Sequence, residues 1–291
     1  MKKKIKLGLP KGSLQESTFR MLKKAGFSVS VSERSYFPYI DDEEIEAVLL
    51  RAQEIPCYVE NGVLDCGITG ADWILENNAN VTVVSDLLYA KQNITPVRWV
   101  LAVPCNSKIK SVKSLNGKRI ATELVNVTKK YLNKNKVKAE VEFSWGATEA
   151  KVPQLVDAIV ELTETGSSLR VHNLQIIDTV CKSTTQLIAN NASWKERWKK
   201  DKMQNIALLL KGALNAEEKV GLKLNANKKS LNKVLSLLPA MRNPTISHLS
   251  RPGWFAVEIV ADEKAVRRLI PKLKKVGAEA IIEYNLTKVV P

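Results

Sequence analysis

The chain has 291 residues, 45% of them hydrophobic, enough to fill the cores of two or three domains. Its 45 Lys and Arg against 30 Asp and Glu leave a formal charge of +15, which favours a polyanionic partner. No apolar stretch approaches the roughly 20 residues that span a bilayer, and the start MKKKIKLGLPKGS lacks an apolar signal core, so a cytoplasmic protein with no membrane partner is expected. Four scattered cysteines and two histidines argue against a disulfide framework, a CxxC pair, a structural zinc site or a histidine triad. Any chemistry must then run on carboxylates, basic groups, hydroxyls and backbone amides.

Short apolar runs alternate with amphipathic stretches in the N-terminal part, the pattern of an α/β domain with a largely parallel sheet. Ile5 to Leu9 reads as a strand, Lys11-Gly12-Ser13 as a turn, and Ser13 as the N-cap of a helix carrying Leu14, Phe19, Met21 and Leu22. The acidic cluster Asp41-Asp42-Glu43-Glu44 predicts a helix start, continued through Ile45, Val48 and Leu49 to Arg51. Val63 to Ile68 is then a strand, Gly70-Ala71-Asp72 a helix start, and Val81 to Val84 a strand.

From about residue 95 a second α/β lobe begins. Trp99 to Val103, Arg119 to Thr122 and Ala139 to Phe143 read as strands, Val127 to Leu132 as a helix, and Val152 to Leu162 as a helix ending at Gly166. The apolar run Leu174 to Val180 follows, then a long helix from Ser193 to Lys211 with Trp194 and Trp198 on one face. After Gly212 come a strand (Lys219 to Leu224), a helix (Lys228 to Leu238), two strands (Pro244 to Leu249, Trp254 to Val260), a helix (Glu263 to Val276) and a strand (Ala280 to Tyr284). That order, βαββαβ, is the ferredoxin-like split.

Residues 195–233 hold eleven basic and four acidic side chains, and 129–138 hold five lysines. Neither stretch carries a zinc-finger, basic-zipper or RNA-recognition pattern, and lysine runs are usually solvated helix faces, so no nucleic-acid partner is expected. The segment from Val156 to Leu169 is more informative. On a helix, Asp157 and Glu161 would share a side and could accept hydrogen bonds from sugar hydroxyls. Thr165, Gly166, Ser167 and Ser168 then offer hydroxyls, backbone N–H groups and a flexible glycine, suited to a tetrahedral anion. An acidic pair leading into such a loop suits a ribose 5-phosphate; a helix with exposed acids and a glycine C-cap fits the same residues.

The turns Trp145-Gly146-Ala147-Thr148-Glu149, Asp65-Cys66-Gly67-Ile68-Thr69-Gly70-Ala71-Asp72 and Lys11-Gly12-Ser13 sit at strand ends, where open α/β sheets bind ligands. Together they favour a phosphate- or nucleotide-binding cleft. A solute sensor without chemistry, or a regulator binding nucleic acid through 195–233, would use the same residues differently.

Over nearly its whole length the chain resembles the long form of the ATP phosphoribosyltransferase family. The resemblance rests on LPKGSLQEST, LLRAQEIPCYVENGVLDCGITGADW, KRIATELVNVTKKYL, EFSWGATEAKVPQLVDAIVELTETGSSLRVHNL and LLPAMRNPTISHL. It implies a two-lobed core similar to type II periplasmic-binding proteins, with lobe I at 1–90 and again at 183–211 and lobe II at 91–182. It also implies an ACT-like regulatory domain at 212–291 that binds histidine through Thr245 and Ser247 and assembles dimers into hexamers. The implied reaction is attack of ATP N1 on C1 of phosphoribosyl pyrophosphate, assisted by Mg²⁺ held chiefly by substrate phosphates and water.

The same resemblance assigns Asp157, Glu161 and Thr165, Gly166, Ser167, Ser168 and Leu169 to the ribose phosphate. Gly12, Asp65, Thr69, Gly70, Asp72 and Arg119 go to nucleotide or pyrophosphate, and Lys11, Arg51 and Glu149 to the chemistry. Two positions depart from the family pattern: Ser13 stands where Arg is common, and Glu164, beside the phosphate loop, is expected to point outward.

Overall fold

The computed structural model describes residues 3–89, 96–239 and 243–290, in two compact units, 1–207 and 208–291. The lobe boundary expected at 90–91 and residues 240–242 of the LLPAMRNPTISHL segment lie outside the described residues. In the first unit, β1 (Ile5–Lys11), α1 (Gln15–Ala25), the short pair β2 (Val29–Ser30) and β3 (Tyr39–Ile40), β4 (Ile45–Arg51), α2 (Ile55–Glu60), β5 (Cys66–Gly70), α3 (Ala71–Asn77) and β6 (Thr82–Leu87) follow in order. A second run gives β7 (Val97–Pro104), β8 (Arg119–Thr122), α4 (Val125–Lys134), β9 (Glu140–Phe143), β10 (Ala158–Thr163), α5 (Ser167–Val171) and β11 (Leu174–Ser183). The chain then returns through β12 (Thr185–Ala189) and enters α6 (Arg197–Ala216).

These strands form two five-stranded sheets, ordered β4-β1-β5-β12-β6 and β11-β7-β10-β8-β9. In the first, β4, β1 and β5 are parallel and β12 is antiparallel to β5; in the second, β10, β8 and β9 are parallel. Central strands of such sheets are covered on both faces and read as unbroken apolar runs. Accordingly Leu7 and Leu9 in β1, and Ala158, Ile159 and Val160 in β10, are all fully buried.

Two predicted helices are strands. Residues 45–51 form β4: Ile45, Ala47 and Leu49 are buried at every second position, a period of two that outweighs the acids before them. Those acids make a turn, in which the Glu44 N–H donates to Asp42 Oδ1 and Lys202 bridges both carboxylates at 2.7 and 2.6 Å. Within 152–162, residues 152–157 are a turn and bend, and β10 begins at Ala158. Pro153 disfavours a helix interior, and Ile159 and Val160 fill a slot between β7 and β8.

Smaller differences have local causes. Helix α1 starts at Gln15 with Leu14 as N-cap and no side-chain cap bond, so Ser13 does not cap it. Helix α2, with Pro56 in its first turn, precedes the strand expected at 63–68, which lies at 66–70. A short 3₁₀ turn, Ser193–Lys195, comes ahead of α6.

The second unit contains β13 (Lys219–Asn227), α7 (Leu231–Leu237), β14 (Thr245–His248), β15 (Trp254–Asp262), α8 (Glu263–Lys275) and β16 (Glu279–Asn285). Its antiparallel sheet runs β14-β15-β13-β16. Leu222, Leu224 and Val257 pack with Val234, Val266 and Leu273 of the helices in one core. Among the described residues, no helix is long and apolar enough to cross a membrane.

Candidate active site

Parallel pairing of β1 and β4 in matched register ends with Lys11 beside Arg51, two cations at the carboxyl edge of the first sheet. No described carboxylate is ion-paired with either; the Lys11 ammonium lies 3.7 Å from the centre of the Tyr36 ring, and Gly12 turns the chain beside the Arg51 guanidinium. The neighbouring strand β5 ends at Gly70. Any Cβ there would collide with Asp72 Oδ1, so glycine is what allows this carboxylate to fold back under the strand end. Asp72 is only 4% exposed; it accepts from Trp99 Nε1 at 2.6 Å and Ser183 Oγ at 2.8 Å. Burial raises its pKa despite those bonds.

The second sheet brings Glu123, just past β8, and Glu161, within β10, to its own carboxyl edge. Burial, helped by the charges of Glu149 and Glu123, pushes the Glu161 carboxyl up to about 7, against the Leu162 N–H and the Thr148 hydroxyl, which favour ionisation. After β10 the chain turns through Thr165 and Gly166 into α5. Gly166 has φ of +74° and donates its N–H to Thr163 Oγ1 at 2.6 Å; Ser168 Oγ donates to Glu149 Oε1 at 2.6 Å; buried Leu169 anchors the loop. The first N–H groups of a helix have no partner within it, so this turn presents amide and hydroxyl donors.

The two edges enclose a cleft of about 370 Å³, lined by Lys11, Arg51, Gly70 and Asp72 on one side and Glu123, Glu161 and Glu164 on the other. Glu164 therefore faces the cleft and not outward. The lining also includes Ser13, Gln53, Trp73, Tyr89, Trp99, Thr184 and Thr185. Gln53, Trp73 and Glu123 each follow the carboxyl end of a strand by one to three residues, a position that could have flagged them. Trp99 and Tyr89 are set by the fold and leave no local trace.

Several expected site residues lie elsewhere. Asp157 precedes β10, at the amino edge of the sheet, where it accepts from the Arg119 N–H at 2.9 Å and Lys118 Nζ at 3.0 Å; these bonds lower its pKa. Four residues along a strand span about 13 Å, so Asp157 and Glu161 lie at opposite ends of β10 and cannot share one ligand group. Arg119, at the same amino edge, pairs with Glu142 at 2.7 Å. Asp65 precedes β5 and binds Ser193 Oγ, Lys199 Nζ and the Lys6 N–H, which together outweigh its burial and lower its pKa. Thr69 is buried and donates to the Ala52 carbonyl at 2.6 Å, bracing the turn after β4. Thr245 and Ser247 lie exposed on β14 of the second unit.

The family model of ATP phosphoribosyltransferase (HisG) matches residues 51–212, more than half of the chain. The chain belongs to the ATP phosphoribosyltransferase family. A second model, the HisG C-terminal domain, matches residues 216–288. Among curated relatives, the ATP phosphoribosyltransferase of Thermodesulfovibrio yellowstonii is 60% identical over 289 residues, covering 99% of each chain. That of Chlorobium phaeobacteroides is 59% identical over 286 residues, 98% of this chain and 97% of the relative. A solved ATP phosphoribosyl transferase (HisG:HisZ) complex from Thermotoga maritima matches with a TM-score of 0.60 and 28% identity, over 71% of this chain and 98% of that one. The periplasmic aliphatic sulphonate binding protein SsuA of Escherichia coli, 14% identical with a TM-score of 0.50 over 94% and 92% of the chains, shares the fold alone. As an ATP phosphoribosyltransferase, the chain transfers the phosphoribosyl group of phosphoribosyl pyrophosphate to N1 of ATP, the first step of histidine biosynthesis.

Proposed function

We propose that ATP and phosphoribosyl pyrophosphate meet in the cleft between the two five-stranded sheets, and that the residues at its two edges divide the work. The observation that carries this reading is the opposition of two cations, Lys11 and Arg51, to Glu161 and Glu164 across the cleft, with the Thr165–Leu169 loop following directly in the chain. The loop's hydroxyls and amides hold the 5-phosphate, and Glu161 accepts from the ribose hydroxyls. Lys11 and Arg51 face the pyrophosphate. The bond from ATP N1 to C1 forms as the bond from C1 to the pyrophosphate oxygen breaks, and pyrophosphate leaves with that electron pair. No covalent enzyme intermediate is required; alignment and charge neutralisation supply the rate.

Mg²⁺ fits this site as a shared ion. Among the described residues no three His, Cys, Asp or Glu side chains converge, so the chain offers no closed cage. Glu161 on the cleft lining, with Glu149 nearby, would offer a hard oxygen to this ion alongside substrate phosphates and water. When bound, the ion would neutralise charge on the leaving pyrophosphate.

In the same reading, lobe I comprises 1–90 and 183–211 and lobe II 91–182, as parts of a cytoplasmic homo-oligomer. The βαββαβ order and the sheet order of the second unit support a ferredoxin-like, ACT-like regulatory domain over 212–291. Histidine would be held there by the exposed hydroxyls of Thr245 and Ser247.

Pyrophosphate release is expected to need both substrates, and Lys11→Ala and Arg51→Ala each to lower kcat/KM about 100-fold with an unchanged Tm. Full activity in both variants would move the reaction out of this cleft. Added histidine is expected to raise Tm and slow turnover in the parent, with Thr245→Val weakening both responses. No change of Tm with histidine would leave the second unit without this ligand.

A further inference from the structure

Helix α3 continues from β5 of the first sheet, yet its polar groups serve the second. Glu76 Oε1 accepts the N–H of Asn126 at 2.9 Å, and Glu76 Oε2 accepts that of Val127 at 3.0 Å. These are the second and third residues of α4, the two N–H groups that a helix's own N-cap side chain normally satisfies. Here the N-cap is Leu124, which has no such side chain, and Glu76 takes its place from 50 positions away. The carboxylate also meets the positive end of the α4 dipole.

Asp72 lies one helical turn earlier on α3, on the same face. It too accepts a bond from the second sheet, through Trp99 Nε1 of β7, and it binds Ser183 where the chain crosses back. Trp73 packs against the core that Trp99 and Leu101 share, and Lys130 Nζ donates to Asn78 Oδ1 at 3.2 Å. Successive groups of one short helix thus bind the opposite side of the cleft.

We propose that Glu76 is a positioning residue for phosphoribosyl transfer: with Asp72 it makes α3 a clasp that fixes the separation of the two cleft edges. The role rests on the reading of the cleft as the reaction site. Lys11 and Arg51 ride on the first sheet and the Thr165–Leu169 loop on the second, so the clasp sets how closely the two substrates approach. Glu76 itself does not line the cleft, and the cations and the phosphate loop lie on opposite sides of the clasp. Its loss should therefore lower turnover more than it weakens binding of the phosphoribosyl donor.

The test is steady-state kinetics on Glu76→Ala and Glu76→Gln, with calorimetric Kd for phosphoribosyl pyrophosphate. Glu76→Ala is expected to lower kcat roughly 10- to 100-fold while donor Kd stays within about threefold. Glu76→Gln keeps one acceptor oxygen and should recover part of that loss. Lys202→Ala, which breaks the Asp42 and Glu44 pairs far from the cleft, is the stability control, expected to lower Tm and keep kcat. The proposal is overturned if kcat of Glu76→Ala stays within about twofold of the parent, or if Lys202→Ala loses as much turnover for the same fall in Tm. Should Glu76→Ala fail to fold, Glu76→Gln decides by the same criteria. Full activity in both Lys11→Ala and Arg51→Ala would instead fault the cleft reading, a result separate from that for Glu76.

Discussion

Gly166→Val is expected to cut kcat/KM at least about 100-fold while the protein remains folded. The backbone, and not crowding, is the reason. A Cβ at this position would sit 3.2 Å from Arg170 Nη1, the end of a flexible side chain, and 3.6 Å from Ile176 Cδ1, an ordinary contact. The φ of +74° is the obstacle, since a β-branched residue in that region pays roughly 1–2 kcal/mol or more and relaxes by turning the peptide. Turning it removes the Gly166 N–H from Thr163 and re-aims the first amides of α5 away from the phosphate position. A stability of about 5–15 kcal/mol absorbs the strain, but a donor aimed wrongly costs rate directly. Gly166→Ala should lie between the parent and Val. Pyrophosphate release followed beside a circular-dichroism melt checks both parts; a folded Gly166→Val with parental kcat/KM would remove the loop from the site.

The loop was legible because its chemistry is local: glycine, hydroxyls and amides within five residues. The acids around it were less so. Asp157 and Glu161, four apart and set among apolar residues, imitate a helical face, and only burial of Ala158 to Val160 on both sides makes the segment a strand. Once it is a strand, position decides function. Residues ahead of a parallel strand lie at the amino edge and residues behind it at the carboxyl edge, where ligands bind. By that rule Asp65, Arg119 and Asp157 fall on the structural side, and Arg51, Glu123 and Glu161 on the other. The six elements after Gly212 were readable from their alternating and amphipathic patterns. The bond from Glu76 to α4 was not, because its two ends lie 50 residues apart and only the fold brings them together.

Glu161→Gln is expected to abolish a rise of kcat/KM through an apparent pKa near 7, to lower its high-pH plateau about 100-fold, and yet to stabilise the protein at about pH 8. Burial is the main cause of that pKa, with Glu149 and Glu123 adding to it, so the free enzyme holds much of Glu161 protonated near neutrality. The ionised form accepts stronger bonds from the ribose hydroxyls and with both oxygens, and kcat/KM reports the free enzyme, so activity should climb as pH passes about 7. The effect on stability has the opposite sign. A folded pKa raised above the ordinary 4.5 means that the contribution of Glu161 is complete below pH 4.5 and is lost as pH rises through about 7. Glutamine keeps the shape without the charge. Its advantage in Tm over the parent should therefore grow between about pH 5 and pH 8, by on the order of 1–2 kcal/mol after solvent screening, or a few degrees. A residue whose removal strengthens the fold while it weakens the reaction is held for its chemistry. A flat pH profile in the parent, or a Glu161→Gln variant less stable than the parent at pH 8, would place the charge of Glu161 outside catalysis.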